Sequence, residues 1–416
     1  MISGHSILSI VLVSIAMFFI IIMPFVGMLL LAKAKLTTQG KVKLTINDEK
    51  EWDIQAGSSL LESLSNLEIF LPSACGGKGT CGMCKCRVTK GGRRILPIEA
   101  VFFNRKECQN YWRLACQVKV QEDIKTDLPK DVLGIKRWKC EVVSNRNVAS
   151  FIKECIIKLP KDESLNFRAG AYVQVYVPEV YINYAEMIID EPFCYEWDQM
   201  QMWDLKMSNN EETYRVYSMA NPPAEKDIIV LNVRIATPPI SKTKYFKRVN
   251  PGICSSYIFS LKPGDKLMVS GPYGDFYVKG IAKELIFIGG GAGMAPLRSQ
   301  VFDLLRTKNS NAKISFWYGA RSKKEIYYEE ALRSLENDFD NFRFTVALSD
   351  PKAEDKWSGF TGFISDVVYE QYLQNHEEPE EVEYYVCGPP KMSDAVRQML
   401  YDLGVDDDNI ALDEFS

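Results

Sequence analysis

The sequence predicts a multidomain chain in four parts: a single transmembrane helix, an α+β module, an antiparallel β-barrel, and an α/β domain with a parallel sheet. Three observations lead to this prediction. An uncharged apolar run occupies residues 7–32, a loop rich in cysteine and glycine follows at 74–84, and a buried strand leads into a glycine-rich turn and a helix at 284–305. With 416 residues and 46% hydrophobic content, the chain is long enough for several packed cores.

Composition narrows the classes of function. The net charge of −4 gives no indication of nucleic-acid binding. Eleven cysteines form an odd set without the dense spacing of secreted disulfide scaffolds, which favours a reducing compartment. His5 and His376 are the only histidines. This scarcity argues against a Rieske centre, a histidine metal site and a histidine-based triad, so the chemistry is expected to come from cofactors.

The apolar run at residues 7–32 predicts a membrane anchor, because it is long enough to cross a bilayer as one helix. A signal peptide is the alternative, since Ala32-Lys33-Ala34 loosely resembles a cleavage site. The run is too long for a signal peptide, however, and its lysines follow it rather than precede it. The positive-inside rule then predicts a single pass through the inner (cytoplasmic) membrane, with the bulk of the chain on the cytoplasmic side. The anchor is assigned to residues 1–36.

The cysteine loop carries Cys75, Cys81 and Cys84, and Cys116 follows 32 positions later. Four thiolates, two per iron, are what a [2Fe–2S] cluster requires. The loop glycines allow tight bends and close N–H approach to the cluster sulfurs; they are Gly76, Gly77, Gly79 and Gly82. A structural zinc site and a disulfide pair are the alternatives, but zinc sites usually combine two short cysteine knuckles and only Cys81 and Cys84 form one. Cys86 is expected to be a buried strand residue.

The C-x5-C-x2-C spacing resembles that of plant-type ferredoxins with a longer loop. The Leu-Ala-Cys-Gln context of Cys116 resembles the fourth ligand of that family and favours it over Cys108. Alternation at 41–54 predicts a hairpin, and Leu60, Leu61, Leu64 and Leu67 have helical spacing. Residues 37–130 are therefore predicted to be an α+β ferredoxin-like (β-grasp) domain.

Strand patterns from residue 136 onward culminate in Arg215-Val216-Tyr217-Ser218, and Gly252 opens a segment with Ser255 and Ser256. An ordinary edge strand is the alternative interpretation of the first motif. In this order the motifs resemble those of the ferredoxin–NAD(P) reductase family. The resemblance implies FAD in a β-barrel at 131–279. Arg215 would hold the pyrophosphate, Tyr217 would pack on the flavin ring and Ser218 would lie near flavin N5. Gly252, Ser255 and Ser256 would bind the flavin phosphates at a helix N-terminus.

A buried strand at 284–288 runs into a turn that contains Gly289, Gly291 and Gly293. A strand, a glycine turn and a helix form a dinucleotide cradle, because the pyrophosphate needs close backbone approach and the positive helix end. Cys387-Gly388-Pro389 resembles the strand-end motif of the same reductase family. The resemblance implies that residues 280–416 form an NADH-binding α/β domain in which Gly388 and Pro389 contact the nucleotide. Cys387 would lie beside the nicotinamide and would be a catalytic residue together with Ser218.

Two further expectations concern this nucleotide domain. In related reductases a terminal aromatic covers the flavin, which implies that Phe415 is a lid within an otherwise frayed tail at 411–416. The choice between NADH and NADPH rests on resemblance, because the residues after the second nucleotide strand would also suit a 2′-phosphate. Those residues are Arg321, Ser322 and Lys323.

A long insertion at 178–213, rich in aromatic residues and methionine, is predicted to dock on another surface. The order of anchor, ferredoxin module, barrel with this insertion and nucleotide domain resembles the F-subunit family of Na+-translocating NADH:quinone oxidoreductases. The resemblance implies an electron-input role, with membrane subunits of a respiratory complex as partners. Two alternatives are the reductase component of an oxygenase and a non-enzymatic membrane-tethered metal-binding or assembly protein.

Overall fold

The computed structural model describes residues 4–36, 40–130, 132–240, 246–280 and 282–414, and the chain divides into two compact units. The first unit contains residues 1–71 and 77–134, and the second contains 72–76 and 135–416. Helix α1 (Gly4–Leu36) has 33 residues, about 50 Å at 1.5 Å per residue. Within it, Val11–Met28 has a mean hydropathy of 2.6 and is exposed. This helix is long and apolar enough to cross a membrane.

The first unit is built on one five-stranded sheet in the order β2-β1-β5-β3-β4. The predicted hairpin is present, with Asn47 and Asp48 at positive φ in its turn. The predicted helix also forms, and Ser59 caps its N-terminus by accepting a hydrogen bond from the N–H of Glu62. The elements of this unit are β1 (Lys41–Ile46), β2 (Lys50–Gln55), α2 (Leu60–Asn66), β3 (Lys85–Lys90), α3 (Pro97–Ala100), α4 (Arg105–Gln109), β4 (Trp112–Leu114) and β5 (Ile124–Asp127).

The second unit begins with an antiparallel six-stranded sheet in the order β11-β8-β13-β6-β7-β12. A bridge between Met219 and Leu231 joins the two edge strands and closes the sheet into the predicted barrel. Its elements are β6 (Lys136–Ala149), β7 (Ile152–Lys158), β8 (Tyr172–Val177), β9 (Val180–Asn183), α5 (Cys194–Gln199), β10 (Lys206–Asn209), β11 (Thr213–Ser218), β12 (Ile228–Arg234), α6 (Ile253–Ser260) and β13 (Lys266–Tyr273).

The insertion at 178–213 packs on its own barrel. Its strands β9 and β10 form an antiparallel pair, and Trp197 of α5, between them in sequence, is fully buried. The Trp197 indole N–H donates to the Ser150 carbonyl at 2.8 Å, and its ring stacks 6.0 Å from Phe259. The aromatic residues that suggested docking are therefore used, at least in part, to attach the insertion to the barrel core.

The nucleotide half of the second unit is a six-stranded sheet in the order β17-β16-β15-β14-β18-β19, and all of its strand pairs are parallel. Helices connect the strands, as parallel pairing requires. Its elements are β14 (Glu284–Gly290), α7 (Met294–Phe302), β15 (Lys313–Ala320), α8 (Glu329–Asp338), β16 (Phe342–Leu348), β17 (Phe360–Thr361), α9 (Ile364–Gln371), β18 (Glu383–Gly388), α10 (Pro390–Asp402) and β19 (Ile410–Glu414).

The C-terminal segment corrects one expectation. Residues 411–414 are not a frayed tail, because they belong to β19, which pairs in parallel with β18 from Tyr384↔Ile410 to Gly388↔Glu414. This backbone pairing places the end of the chain beside the strand that ends in Cys387 and Gly388. Phe415, the predicted lid, lies outside the described residues.

Candidate active site and cluster loop

Strand pairing brings two of the predicted cluster ligands together in the first unit. Cys84 lies immediately before β3 and Cys116 shortly after β4, and these strands pair with Lys85 opposite Leu114. The Ala115 N–H donates to the Cys84 carbonyl at 2.8 Å. Cys84 and Cys116 are both buried, whereas Cys81 is half-buried. A thiol site at this point follows directly from the antiparallel register.

The other cysteines of this region take different places. Cys75 is half-buried in the short segment Pro72–Gly76, which groups with the second unit. Cys86 is fully buried in β3, as its strand period predicts. Cys108 lies in α4 with its sulfur 4.0 Å from the Phe103 carbonyl. The assignment of Cys75, Cys81, Cys84 and Cys116 as the ligand set stays a prediction.

The loop around these thiols is shaped by glycine. Gly79 and Gly82 have φ of 78° and 69°. A Cβ at Gly82 would lie 2.4 Å from the Phe102 ring, and one at Gly79 would lie 2.5 Å from the Gln117 amide nitrogen. That amide nitrogen donates to the Cys116 sulfur at 3.3 Å. Larger residues would therefore displace a hydrogen-bond donor from a predicted ligand.

The donor set suits an iron–sulfur cluster. A hydrogen bond to Cys116, together with burial, raises the pKa of the Cys84 thiol, so this pair resists ionisation in the absence of a cation. Bound iron would supply that positive charge and keep both sulfurs as thiolates. Among the described residues, no three His, Cys, Asp or Glu side chains surround one point suitable for a single metal ion. A two-iron cluster does not need such a point, because its ligands are divided between the irons.

In the second unit, β11 is the strand that carries Arg215, Tyr217 and Ser218. All six of its residues are part-exposed, although most residues of the neighbouring strand β8 are buried. The guanidinium of Arg215 donates to the Tyr214 carbonyl at 2.7 Å. A barrel-edge strand that leaves surface uncovered and presents a planar guanidinium fits a flavin with its pyrophosphate.

The second predicted flavin segment is the N-terminus of α6. A Cβ at Gly252 would lie 2.6 Å from Ala236 Cβ, so only glycine fits this position. Ser255 and Ser256 are buried, and both hydroxyls donate to the Gly252 carbonyl, at 3.1 and 2.6 Å. The hydroxyls thus hold the helix start in place. The groups that remain suited to phosphate are the first-turn backbone N–H groups of the helix.

The glycines of the nucleotide cradle have different surroundings. A Cβ at Gly289 would lie 2.8 Å from Leu297 Cδ1, and one at Gly293 would lie 1.9 Å from the Cys387 carbonyl oxygen. Gly291 has φ of 56° and open space where its Cβ would be. The hydroxyls of Tyr318 and Tyr327 donate to the Gly291 carbonyl at 3.3 and 2.8 Å. The carbonyl of Gly291 is therefore fixed by two tyrosine hydroxyls, while the space where its Cβ would be is open. This arrangement fits the close approach of a pyrophosphate.

Gly388 and Pro389 complete the cradle from the neighbouring strand. A Cβ at Gly388 would lie 3.2 Å from the Gly290 nitrogen, so the two strand ends meet backbone to backbone. Pro389 is the exposed N-cap of α10. The carboxyl ends of β14 and β18 thus lie together, at the edge of a parallel sheet where ligands bind.

Ser218 and Cys387 meet at a third residue. The Ser218 hydroxyl donates to Asp413 Oδ2 at 3.0 Å, and the Cys387 thiol lies 3.7 Å from the same oxygen. Burial raises the pKa of both the Cys387 thiol and the Asp413 carboxyl. One carboxylate oxygen of Asp413 therefore links the ends of two strands. They are β11, which carries the flavin motif and is called the flavin strand below, and β18, which is called the nucleotide strand.

Asp413 was not among the site residues predicted from the sequence. A partial signal was present, because Ile410 and Leu412 alternate with other residues as in a half-buried strand. A cavity of about 370 Å³ lies elsewhere, at the amino-terminal end of β15 and away from the cradle. It is lined by Lys313, Tyr372, Asn375, His376, Glu377 and Glu378.

Three family models match the chain in the predicted order. They are described as a 2Fe-2S iron-sulfur cluster binding domain at residues 44–121, an oxidoreductase FAD-binding domain at 194–277 and an oxidoreductase NAD-binding domain at 287–398. The cofactor predictions of a [2Fe–2S] cluster, FAD and NADH are confirmed at the level of these domains.

Solved structures share the fold. A cytochrome P450 reductase, GcoB, from Amycolatopsis has a TM-score of 0.61 at 21% identity, covering 90% of this chain and 98% of its own. The ferredoxin reductase of carbazole 1,9a-dioxygenase has a TM-score of 0.58 at 23% identity, covering 91% and 99%. At these identities the likeness concerns the fold alone.

Similarity in sequence is much closer to another group. The F subunit of the Na(+)-translocating NADH-quinone reductase of Psychrobacter arcticus is 50% identical over 403 residues, which are 96% of this chain and 97% of that protein. The protein of the same name in Neisseria gonorrhoeae is 48% identical over 405 residues, covering 97% and 99%. On this full-length similarity, the chain belongs to the family of Na(+)-translocating NADH-quinone reductase F subunits.

Proposed function

We propose that this chain is the electron-input subunit of a membrane-bound, Na+-translocating NADH:quinone oxidoreductase. It takes hydride from NADH onto FAD and passes single electrons through a [2Fe–2S] cluster to partner subunits. The observation that carries the proposal is the shared Asp413 oxygen between Ser218 and Cys387. It brings the end of the barrel strand to the end of the nucleotide strand, where a hydride donor and a hydride acceptor must meet.

When bound, FAD accepts two electrons as hydride and the cluster carries them one at a time. The residues of the barrel would hold and orient the flavin. Arg215 would bind its pyrophosphate, Tyr217 would pack on its ring and Ser218 would lie near its reacting nitrogen. Gly252 permits the tight start of α6, and Ser255 and Ser256 fix that start, so that its backbone N–H groups face the flavin phosphates.

The nucleotide half would bind NADH through the cradle. Gly291 leaves room for the pyrophosphate, while Gly289, Gly293 and Gly388 allow the close packing that shapes the turn. Cys387 would lie beside the nicotinamide, with Pro389 at the start of the following helix. Phe415 would cover the flavin and move aside for the nicotinamide.

The cluster would be held by Cys75, Cys81, Cys84 and Cys116. The amide hydrogen bond from Gln117 to the Cys116 sulfur would favour the more negative, reduced cluster. The proposed domain limits are 1–36 for the anchor, 37–130 for the ferredoxin-like domain, 131–279 for the FAD barrel and 280–416 for the NADH domain.

Residues 7–32 would anchor the chain in the inner membrane, with the bulk of the chain on the cytoplasmic side, in contact with membrane subunits of the complex. The apolar helix supports this proposal, and so do the lysines that follow it. Because no charged residue lies within 7–32, sodium transport would belong to other subunits.

The test is a visible and EPR titration of the purified full-length chain with NADH under anaerobic conditions, beside Cys116→Ala and Cys108→Ala variants. We expect the flavin bands to bleach in all three proteins. A reduced [2Fe–2S] signal should appear in the wild type and in Cys108→Ala, but not in Cys116→Ala. Bleaching of the wild-type flavin without any cluster signal would contradict the second step. Co-purification with a soluble oxygenase instead of membrane subunits would contradict the assignment of partners.

A further inference from the structure

We propose that α7 sets the distance between the nucleotide strand and the flavin strand, and that Arg298, Ser299 and Gln300 are positioning residues for hydride transfer. The inference rests on the proposed function, because it assumes that NADH binds at the cradle and flavin at β11. It assigns a second task to a helix whose first turn already belongs to the cradle.

The start of α7 is held against the nucleotide strand. Gly293 directly precedes the helix, and a Cβ there would lie 1.9 Å from the Cys387 carbonyl oxygen. The helix and the end of β18 are thus in backbone contact. One residue into the helix, Ala295 packs in an apolar cluster with Ala220 and Val230 of the barrel. The first turn of α7 therefore touches both halves of the second unit.

Three consecutive side chains in the second half of α7 all donate to backbone carbonyls of the barrel. Arg298 Nη1 donates to the Ala220 carbonyl at 2.6 Å, and Ser299 Oγ donates to the Asn221 carbonyl at 2.7 Å. Gln300 Nε2 donates to the Phe276 carbonyl at 2.6 Å. Consecutive helical residues point about 100° apart, so three such bonds in a row require the barrel to surround a wide arc of the helix. This arrangement restricts both sliding and rotation of α7.

The carbonyls that accept these bonds are themselves fixed. Ala220 and Asn221 follow Ser218 after a single residue, Met219. The Asn221 side chain donates to the carbonyls of Glu225 and Ile228 and accepts from the N–H of Val230. A Cβ added at Gly170 would lie only 1.9 Å from the Phe276 carbonyl oxygen, so this carbonyl packs directly against the Gly170 backbone. The helix is therefore attached to a rigid part of the barrel close to the flavin motif.

Hydride transfer depends steeply on the separation of donor and acceptor, and a misplacement of about 1 Å can cost roughly 100-fold in rate. The bonds of Arg298, Ser299 and Gln300 reach the barrel and not the cradle glycines. Losing one of them should leave NADH binding intact and allow the two strand ends to drift relative to each other. The signature is a fall in the rate of hydride transfer with little change in NADH affinity.

The experiment compares Arg298→Met, Ser299→Ala and Gln300→Leu with a matched control, Ser315→Ala, in the full-length holoprotein. Ser315 is also a buried serine of the nucleotide half, and its Oγ accepts a hydrogen bond from the Trp317 indole at 3.0 Å, away from the barrel. Flavin and cluster content, the NADH dissociation constant and the single-turnover rate of flavin bleaching are measured for each. Hydrogen exchange of peptides covering 219–222 and 294–302 gives a readout that does not depend on turnover.

We expect the bleaching rate to fall about tenfold in Arg298→Met and Gln300→Leu and about threefold in Ser299→Ala, as expected for sub-ångström displacement. The NADH dissociation constant should stay within about twofold and the two peptides should exchange faster. Ser315→Ala should match the wild type in bleaching rate. Unchanged rates in the three variants would overturn the proposal, and so would equal slowing in the control or weaker NADH binding at an unchanged rate. Failure of the wild type itself to bleach would instead contradict the proposed function.

Discussion

Three of the predicted cluster ligands fall within residues 75–84, whereas the Ser218–Asp413–Cys387 site joins side chains separated by up to 195 positions. The first site is shaped by a short glycine-rich loop and one strand pairing. The second exists only because β19 runs parallel to β18 and α7 packs on the barrel. A local site should fail completely when one ligand is removed. A site assembled from distant strands should lose function gradually, because each residue contributes part of the positioning.

The largest expected effect contrasts two cysteines that lie two positions apart. Cys84→Ala removes a predicted ligand, and we expect a chain without the [2Fe–2S] spectrum and with its flavin still reducible by NADH. Cys86→Ala removes only a buried strand side chain, and we expect it to keep the cluster at a stability cost of about 1 kcal/mol. Iron and acid-labile sulfide content, measured beside flavin content, checks both. Cluster loss in Cys86→Ala alone would reverse the assignment of ligand and core residue.

The next effect separates two cradle glycines that the sequence motif treats alike. Gly293→Ala places a methyl group against the Cys387 carbonyl, and we expect it to destabilise the second unit by about 2–3 kcal/mol. Gly291→Ala meets open space but needs positive φ, which costs about 1 kcal/mol.

Urea unfolding monitored by flavin fluorescence measures both variants. Gly291→Ala should weaken the free energy of NADH binding by more than it lowers the free energy of unfolding, because this position faces the proposed pyrophosphate. The comparison would be broken if Gly293→Ala were as stable as the wild type.

Local patterns in the sequence predict much of this chain. The hairpin at 41–54, the helix that begins at Leu60, the buried Cys86 and the strand–turn–helix around Gly291 depend on neighbours in sequence. The three domain types and their order follow from motifs of the same local kind. The predicted site residues other than Phe415 lie within these motifs, and their roles stay predictions.

The remainder depends on contacts between distant segments. Nothing near Asp413 in sequence indicates that its strand pairs with β18, so its carboxylate was missed. Ser255 Oγ accepts from the Ala236 N–H at 3.1 Å and the Ser256 hydroxyl lies 2.7 Å from the Tyr184 hydroxyl, and sequence spacing encodes neither contact. The insertion was expected to dock on something, and the contact by which Trp197 packs on Phe259 in the barrel core is one that sequence spacing does not encode.

A smaller effect is expected from Asp413→Asn, with opposite signs for stability and rate. Burial raises the pKa of Asp413, so the folded state disfavours its ionised form. A raised folded pKa stabilises the protein below the ordinary value near 3.9, and that contribution is lost as pH rises through the folded pKa. The neutral amide should therefore make the protein more stable than wild type at pH 8, and this advantage should shrink as the pH falls through the folded pKa toward about 3.9.

The same substitution should slow flavin bleaching by NADH about tenfold, because a neutral amide oxygen accepts hydrogen bonds from Ser218 and Cys387 more weakly than a carboxylate oxygen does. Urea unfolding at pH 8 and at about pH 4, together with single-turnover kinetics, checks the two parts. Equal stabilisation at about pH 4, near the unfolded pKa, and at pH 8 would show that Asp413 is not the titrating group. An unchanged bleaching rate would show that the contact with Ser218 and Cys387 has no part in the reaction.

The smallest expected effect returns to the cluster loop and concerns tuning. The Gln117 amide donates to the Cys116 sulfur at 3.3 Å, and reduction adds negative charge that this bond stabilises. Gln117→Met keeps the length of the side chain and removes the donor. A hydrogen bond worth about 1 kcal/mol more in the reduced state corresponds to roughly 40 mV for one electron, so the potential should fall by about that amount.

Gln121→Met, in the same unit, is the matched control. A potentiometric EPR titration should show the shift in the first variant alone. If both variants keep the wild-type potential, backbone N–H groups set the potential, and even the tuning of this site is local to its glycines.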